Sequence, residues 1–223
     1  MTVNTALFDL DGTLVDSLDD LTEAVNHMLA AFGKAPLPPA SVRRLVGKGT
    51  ANLVQRALGT EAHADIAQGL GLFLEFNTAH IADRSRLFPG VPETLEALAG
   101  SGIRMAIISN KQEALSRLIL ETLGIGRFFE AVCGGDTFPE MKPSPLPLLR
   151  VMENLGVNQK QAVMVGDSIN DIQAGRAAGI TTIGCAWGYG GPEELLGAGR
   201  VANTCADVAE ILLGCGCLSE KIF

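Results

Sequence analysis

Short apolar runs alternate with amphipathic segments along most of the chain. The apolar runs have the length and continuity of buried strands, and they occupy residues 3–8, 103–109, 130–135, 162–167 and 180–185. Apolar residues recur at helical spacing between them, at residues 91–99, 112–123, 145–155 and 169–178. Continuous apolar strands separated by helices are typical of a parallel sheet covered on both faces. The pattern therefore predicts an α/β fold with a Rossmann-like parallel sheet core.

Residues 16–85 interrupt this alternation. They contain no convincing strand, and residues 17–32 place apolar side chains on one helical face before a proline-rich turn and further helical segments. A length of about 70 residues lies at the lower end of the range for an independent domain. We therefore predict an all-helical domain at 16–85 inserted into a core formed by 1–15 and 86–223. Its hinges are expected near 15–18 and 83–87.

Polar side chains stand where the predicted strands end. They are Asp9 and Asp11 after the first strand, Ser109 and Asn110 after the second, Lys142 after the third, and Asp167 with Asp171 after the fourth. Each has a simpler interpretation as a turn residue, a helix cap or a solvated side chain. The carboxyl ends of parallel strands meet at one rim, however, so these residues are expected to converge. Together they indicate Mg²⁺-assisted phosphoryl transfer through an aspartyl phosphate.

The segments that carry these residues resemble the four motifs of the haloacid dehalogenase superfamily. In chain order they are DLDGTLVDS, SNK, KPSP and GDSIND. The resemblance covers essentially the whole chain and implies that the inserted helical domain is a cap. It also implies that Asp9 is the nucleophile and that Asp11 is the general acid and base. Dehalogenases of this superfamily lack an acid at the position of Asp11 and ion-pumping ATPases carry Thr, so Asp11 favours a phosphatase or a phosphomutase.

The same resemblance implies roles for the other motif residues. The Mg²⁺ site would consist of the carboxylates of Asp9 and Asp167 and the backbone carbonyl of Asp11. Ser109 would bind a phosphoryl oxygen, with Asn110 alongside. Lys142 would neutralise Asp9 and the phosphoryl charge, and Asp171 would support the metal site indirectly.

Residues 43–54 of the predicted cap contain cations that could bind a leaving group. Lys48 lies between two glycines, either as a solvated lysine in a turn or as an ammonium facing an anionic leaving group at a helix N-terminus. With CGGD and WGYG, this stretch resembles the phosphoglycolate phosphatase branch of the superfamily. The resemblance implies that Lys48 contacts the substrate, with Arg43 or Arg44 in reserve. We also include Gly12 and Asn110 among the predicted substrate-binding residues.

Several functions remain open on the sequence. Similar sequences act on pyrophosphate, sugar phosphates or amino-sugar phosphates, and a β-phosphoglucomutase-like phosphomutase uses the same core. A non-catalytic binding module would be expected to lose one of Asp9, Asp11, Lys142 or Asp167, and all four are present. The sequence therefore predicts an enzyme whose partner is a small phosphate ester, acting as a monomer or a homodimer.

Composition restricts the partners and the compartment. The 223 residues carry a formal net charge of −8 with no basic run, which disfavours nucleic acid and anionic membranes. The amino terminus lacks a signal peptide and no apolar stretch is long enough to cross a bilayer. Five cysteines, an odd number, favour reduced thiols in the cytoplasm. The close pair Cys215 and Cys217 has no companion pair and is not expected to bind metal.

Overall fold

The computed structural model describes residues 3–214 as strands and helices joined mostly by short loops. The strands are β1 (Thr5–Phe8), β2 (Val15–Asp16), β3 (Arg86–Leu87), β4 (Arg104–Ile108), β5 (Ala131–Cys133), β6 (Ala162–Gly166), β7 (Thr181–Cys185) and β8 (Arg200–Ala202). The helices are α1 (Leu18–Ala31), α2 (Pro39–Arg43), α3 (Thr50–Leu58), α4 (His63–Ala79), α5 (Val91–Gly100), α6 (Glu113–Thr122), α7 (Leu146–Leu155), α8 (Ile169–Ala177) and α9 (Cys205–Gly214). Short 3₁₀-helices occupy Gly126–Phe128 and Pro192–Leu195.

Six strands form a parallel sheet in the order β5-β4-β1-β6-β7-β8. The first strand is central, and Leu7 lies opposite Ala106 on β4 and Met164 on β6. This arrangement confirms the predicted α/β fold with its parallel sheet core. The edge strand β8 was not predicted, because its three residues Arg-Val-Ala contain no apolar run.

The two faces of the sheet are buried under different helices. Alternate residues of a strand point to opposite faces, and accordingly Ala6 and Phe8 pack with α5, α6 and α9 whereas Leu7 packs with α7 and α8. All four residues of β1 are buried. The first strand therefore lies in the middle of the core, and any polar side chain that directly follows it is held by rigid surroundings.

Helices α1 to α4 form a helical insert with an apolar cluster of its own. The chain leaves the sheet region through β2 and returns through β3, and these strands pair antiparallel, with Val15 opposite Leu87 and Asp16 opposite Arg86. The buried carboxylate of Asp20 accepts hydrogen bonds from the backbone N–H groups of residues 84 and 85. The two chain segments that connect insert and sheet are therefore held side by side.

Across residues 3–214, no helix combines the length and the apolarity needed to cross a bilayer. Cys133, Cys185 and Cys205 are buried free thiols. The pair Cys215 and Cys217 lies outside the described residues.

Candidate active site

The predicted polar residues lie at the carboxyl ends of three adjacent strands. Asp9 directly follows β1, Ser109 follows β4 and Asp167 follows β6. The parallel ladder continues into these positions, since the Asp9 N–H donates to the Val165 carbonyl at 2.9 Å and the Ser109 N–H donates to the Cys133 carbonyl at 2.9 Å. The sheet register thus fixes where the three side chains begin, as the parallel arrangement of the strands predicts.

Lys142 is buried between two carboxylates. Its Nζ lies 2.8 Å from Oδ1 of Asp9 and 2.6 Å from Oδ1 of Asp171. Burial alone would lower the pKa of Lys142, but the charges of Asp171 and Asp9 raise it, so the ammonium stays protonated. Oδ2 of Asp171 accepts hydrogen bonds from the Ser168 N–H at 3.0 Å and from its hydroxyl at 2.7 Å. Both oxygens of Asp171 are therefore occupied, and this residue orients Lys142.

Asp167 is held by donors from two other segments. Its Oδ1 accepts from the Thr13 hydroxyl at 3.0 Å, and its Oδ2 accepts from the N–H of Tyr189 at 2.7 Å and of Gly190 at 3.4 Å. Burial and the charge of Asp171 nevertheless raise the pKa of Asp167 to about 6. The carboxylate is therefore well oriented but short of positive charge.

The site as a whole fits a divalent cation. Carboxylate oxygens of Asp9, Asp167 and Asp171 all lie within 4.8 Å of one another, and the Lys142 ammonium pairs with two of them, Asp9 and Asp171. Burial raises the pKa of Asp9 to about 8 against the lowering effect of Lys142, with Asp171 and Asp167 raising it further. When all three carboxylates are ionised, the buried excess of about two negative charges matches one Mg²⁺, which prefers oxygen ligands. Asp171 is paired with the Lys142 ammonium and with Ser168. Asp9 has one oxygen without a hydrogen bond in the described residues, and Asp167 accepts only from neutral donors, so these two carboxylates are the ones able to bind Mg²⁺.

Asp11 points to the same rim and is oriented by two neighbours. Its Oδ1 accepts from the Ser17 hydroxyl at 2.6 Å, and its Oδ2 lies 3.3 Å from Nζ of Lys111. Within residues 3–214, no donor bonds to the Asp11 backbone carbonyl, which leaves that oxygen available as a ligand. Lys111 was not among the predicted site residues. The signal for it was its position in SNK, three residues beyond the end of β4.

Asn110 and Ser109 have different surroundings. The Asn110 amide donates to the carbonyls of Gly47 at 2.9 Å and Lys142 at 2.8 Å, and its Oδ1 accepts from the Lys142 N–H at 3.0 Å. Asn110 thus joins the Lys142 loop to the helical insert. Ser109 lines the cavity, and its oxygen accepts from the Lys111 N–H at 3.2 Å.

Gly12 occupies a position that a side chain would obstruct. Its φ is +88°, and a Cβ atom there would lie 2.5 Å from Oδ2 of Asp167. Glycine alone adopts this backbone conformation readily. The turn after Asp11 can therefore pass directly beside the Asp167 carboxylate.

A cavity of about 690 Å³ separates this rim from the helical insert. The insert contributes four cationic side chains to its lining: Arg43, Arg44, Lys48 and Arg56. Arg43 donates from Nε to the Tyr189 carbonyl at 2.6 Å and from Nη2 to the Gly188 carbonyl at 2.7 Å. The Lys48 side chain is exposed and has no ion pair or hydrogen bond with the part of the chain that the structure describes. Lys48 is therefore the lining cation of the insert whose donors are all available to an anion within the described residues, whereas Arg44 and Arg56 each use one donor in a hydrogen bond.

Comparison with known proteins gives a consistent family. The family model described as haloacid dehalogenase-like hydrolase matches residues 6–185. The chain is 39% identical to a phosphoglycolate phosphatase from Chromobacterium violaceum, over 94% of this chain and 96% of that protein. It is 41% identical to a phosphoglycolate phosphatase from Pseudomonas putida, over 94% and 78% of the two chains. The crystal structure of a predicted phosphoglycolate phosphatase from Haemophilus somnus 129PT superposes with a TM-score of 0.90 at 32% identity, covering 95% and 98%.

Proposed function

The chain belongs to the haloacid dehalogenase-like hydrolase family, and we propose that it is a Mg²⁺-dependent phosphatase that converts 2-phosphoglycolate to glycolate and phosphate. Relatives at about 40% identity that carry the name phosphoglycolate phosphatase support the substrate. The observation that carries the mechanism is the cavity whose floor holds Asp9, Lys142 and Asp167 and whose opposite wall holds Lys48. The floor carries the groups for phosphoryl transfer, and the opposite wall carries a cation for the carboxylate of the substrate.

Asp9 and Asp11 divide the reaction between them. A carboxylate oxygen of Asp9 attacks phosphorus, the bond from phosphorus to the ester oxygen breaks, and Asp11 gives that oxygen a proton. Asp11 then takes a proton from water as the water oxygen attacks the phosphorus of the aspartyl phosphate. The bond between phosphorus and the Asp9 oxygen breaks and phosphate leaves, so that Asp9 is again a carboxylate and Asp11 again a carboxylic acid. Because positioning and charge stabilisation supply most of the catalysis in phosphoryl transfer, the contacts that orient these two acids are part of the mechanism.

The remaining residues balance the charge of the reacting groups and keep them in position. Asp9 and Asp167, with the Asp11 carbonyl, would hold Mg²⁺, which when bound supplies positive charge that draws the phosphoryl oxygens toward Asp9. The Lys142 ammonium would offset the negative charge of Asp9 and of the transferring phosphoryl group. Its contact with Asp171 keeps it in place. The Ser109 hydroxyl would donate to a phosphoryl oxygen. Gly12 lets the turn after Asp11 pass directly beside Asp167.

The helical insert would act as a mobile cap over this floor. We place the cap at residues 16–85 and its hinge at the β2–β3 ribbon, where the two connecting segments pair. Closing the cap would bring Lys48 to the glycolate carboxylate and exclude water. Arg43 and Arg44 also line the cavity, but two donor groups of Arg43 are bonded to core carbonyls. The buried thiols of Cys133, Cys185 and Cys205 are compatible with the cytoplasmic location that we propose.

Lys48→Gln tests the substrate assignment. We would measure phosphate release from 2-phosphoglycolate and from ethyl phosphate, which has a methyl group in place of the carboxylate. A charge-assisted contact corresponds to a KM increase of about tenfold or more for 2-phosphoglycolate, with ethyl phosphate unaffected. Lys34→Gln, at another exposed cap lysine, is the matched control. Equal effects of Lys48→Gln on both esters would contradict the assignment of Lys48 to the carboxylate.

A wider panel tests the function itself. Pyrophosphate, sugar phosphates, amino-sugar phosphates and β-glucose 1-phosphate would be assayed beside 2-phosphoglycolate, with and without Mg²⁺. Preference for another ester would retain the mechanism and overturn the substrate. Phosphate release that persists without Mg²⁺ or in Asp9→Asn would overturn the mechanism.

A further inference from the structure

Arg43 of the cap is bonded to two consecutive peptide groups of the core. They lie in the segment 187–190, between β7 and the 3₁₀-helix at Pro192–Leu195. The Arg43 guanidinium donates to the carbonyls of Gly188 and Tyr189, and its central carbon lies 5.9 Å from the centre of the Tyr189 ring. The fork of donors on an Arg side chain suits such a pair of acceptors, which a Lys ammonium matches less well.

The opposite ends of the same two peptide groups bond to Asp167. The peptide between Gly188 and Tyr189 presents its carbonyl to Arg43 and its N–H to Oδ2 of Asp167, at 2.7 Å for the second contact. The next peptide repeats the pattern through the Tyr189 carbonyl and the Gly190 N–H, the latter at 3.4 Å. A peptide bonded to a cation at its oxygen and an anion at its N–H is polarised by both, which strengthens each bond. Arg43 and Asp167 are thus connected through two parallel peptide groups.

The glycines of this segment allow the close approach. A Cβ atom on Gly188 would collide with the Asp167 side chain, and one on Gly190 would lie 2.6 Å from the Asp167 carbonyl oxygen. The two peptides therefore lie directly against Asp167. No side chain separates them from the carboxylate that they orient.

The Tyr189 phenol links the segment 187–190 to Asp11, the other catalytic acid. Its oxygen accepts from the Ser17 N–H at 2.6 Å and donates to Asp16 at 3.0 Å. Ser17 in turn donates its hydroxyl to Asp11 at 2.6 Å. Burial raises the pKa of Tyr189, so the phenol remains a neutral donor. Tyr189 therefore contacts the hinge at the residue that orients Asp11.

We propose that Arg43 is a positioning residue that couples cap closure to the orientation of Asp167 and Asp11 through the segment 187–190. The inference rests on the proposed function, because it assumes that the cap closes over a phosphate ester. When the cap closes, Arg43 docks on the two carbonyls and fixes the N–H groups that hold Asp167. When the cap opens, those peptides lose their cation and Asp167 loses part of its orientation. The metal site is then fully formed only under a closed cap.

Two measurements without substrate test the coupling. In Arg43→Gln, amide hydrogen exchange at Tyr189 and Gly190 should be about tenfold faster or more, because charge-assisted bonds are lost. Isothermal titration with Mg²⁺ alone should show weaker binding by about tenfold, the size of effect seen when groups that orient metal ligands are removed. Arg44→Gln, whose guanidinium bonds to Ser41 of its own segment, is the control and should change neither value. Unchanged exchange and unchanged Mg²⁺ affinity in Arg43→Gln would overturn the proposal.

Steady-state kinetics distinguishes positioning from substrate contact. If Arg43 acts through Asp167, Arg43→Gln lowers kcat/KM for 2-phosphoglycolate and ethyl phosphate by the same factor, and Arg43→Lys restores little. A loss confined to 2-phosphoglycolate, or full rescue by Arg43→Lys, would make Arg43 a substrate-binding cation and overturn the proposal. Inactivity of the wild type on both esters would count against the proposed function only, since exchange and Mg²⁺ binding need neither ester.

Tyr189→Phe separates the effect of the segment 187–190 on Asp167 from its effect on Asp11. It retains both peptides and the ring but removes the bonds to Ser17 and Asp16. Mg²⁺ affinity should stay at the wild-type value while kcat falls through Asp11. A loss of Mg²⁺ affinity as large as that of Arg43→Gln would show that the peptides do not carry the coupling.

Discussion

Replacing Asp9 by Asn should stabilise the metal-free protein while abolishing its activity. Asn has nearly the shape of Asp, and it resembles the protonated carboxyl rather than the carboxylate. Asp9 is 9% exposed and lies among Asp167, Asp171 and the single ammonium of Lys142. The substitution removes one buried negative charge from a site that has an excess of them.

The pH dependence gives the size of the effect. Burial raises the pKa of Asp9 from 3.8 to about 8, so between these values the folded protein keeps a proton that the unfolded chain releases. The free energy of unfolding therefore falls as pH rises through this interval, and the full penalty is present above about pH 8. At about 1.4 kcal/mol per pKa unit, the upper limit is about 6 kcal/mol. The pKa of about 8 already includes the opposing effect of Lys142. Because an Asn amide does not reproduce every contact of the carboxyl, we expect Asp9→Asn to be more stable by about 2–4 kcal/mol above pH 8.

Denaturant unfolding in the presence of a chelator, repeated across this pH interval, measures the difference. Asp19→Asn, at an exposed position early in α1, controls for the loss of a carboxylate elsewhere. Addition of Mg²⁺ at about 1,000 times its Kd should cancel the difference, because ligand at that concentration stabilises by about 4.1 kcal/mol and only the wild type retains the full site.

A stability difference between Asp9→Asn and wild type that stays constant from pH 4 to pH 8 would refute this reasoning. The same holds if Asp9→Asn is the less stable protein above that interval. Either result would mean that Lys142 compensates Asp9 completely and that no cation is needed to balance the site.

Three further substitutions test the packing of the site and the cap. Gly12→Ala places a Cβ atom 2.5 Å from Oδ2 of Asp167 at a φ of +88°, so it should destabilise the protein by about 1–3 kcal/mol and weaken Mg²⁺ binding in a titration. Lys142→Gln leaves Asp171 buried without a cation, which should cost about 3–5 kcal/mol in denaturant unfolding; a double variant with Asp171→Asn that recovers no stability would contradict this account. Asn77→Leu removes a buried side-chain N–H group that has no hydrogen-bond partner in the described part of the chain, so it should raise stability by about 1 kcal/mol; a lower melting temperature would show that this amide is needed in the cap.

The periodic pattern predicted the sheet because its central strands are buried on both faces. Those strands read as continuous apolar runs, and their ends carry the polar residues that the parallel arrangement brings together. Strand β8 escaped prediction because pairing with β7, rather than its own composition, makes it a strand. The ribbon of β2 and β3 escaped for a similar reason, since two residues on each side carry no periodicity.

In the site, too, the sequence predicted the residues that stand near strand ends and missed the contacts between residues far apart along the chain. Asp9, Asp11 and Asp167 were identified because each stands within three residues of a strand end in the sequence. The contact between Asp11 and Lys111 joins residues 100 positions apart. The bond between Arg43 and the Tyr189 carbonyl joins residues 146 positions apart. Such contacts are set by the packing of the insert on the sheet, and a pattern along the chain does not contain them. The sequence identified Arg43 as a cation near the site, and the structure gives the carbonyls to which it bonds.

The β2–β3 ribbon has a consequence for how such a protein can change over evolution. Because Asp16 and Arg86 are paired, the Cα atoms that border the insert are only about 5 Å apart. A short turn could join them, and so could a different insert of any length whose ends meet. Substrate recognition can therefore be exchanged as a unit at this junction while the aspartates and lysine of the sheet rim keep their places. We expect a chimera with a cap from another phosphatase at this junction to fold, and to take its substrate preference from the donor of the cap.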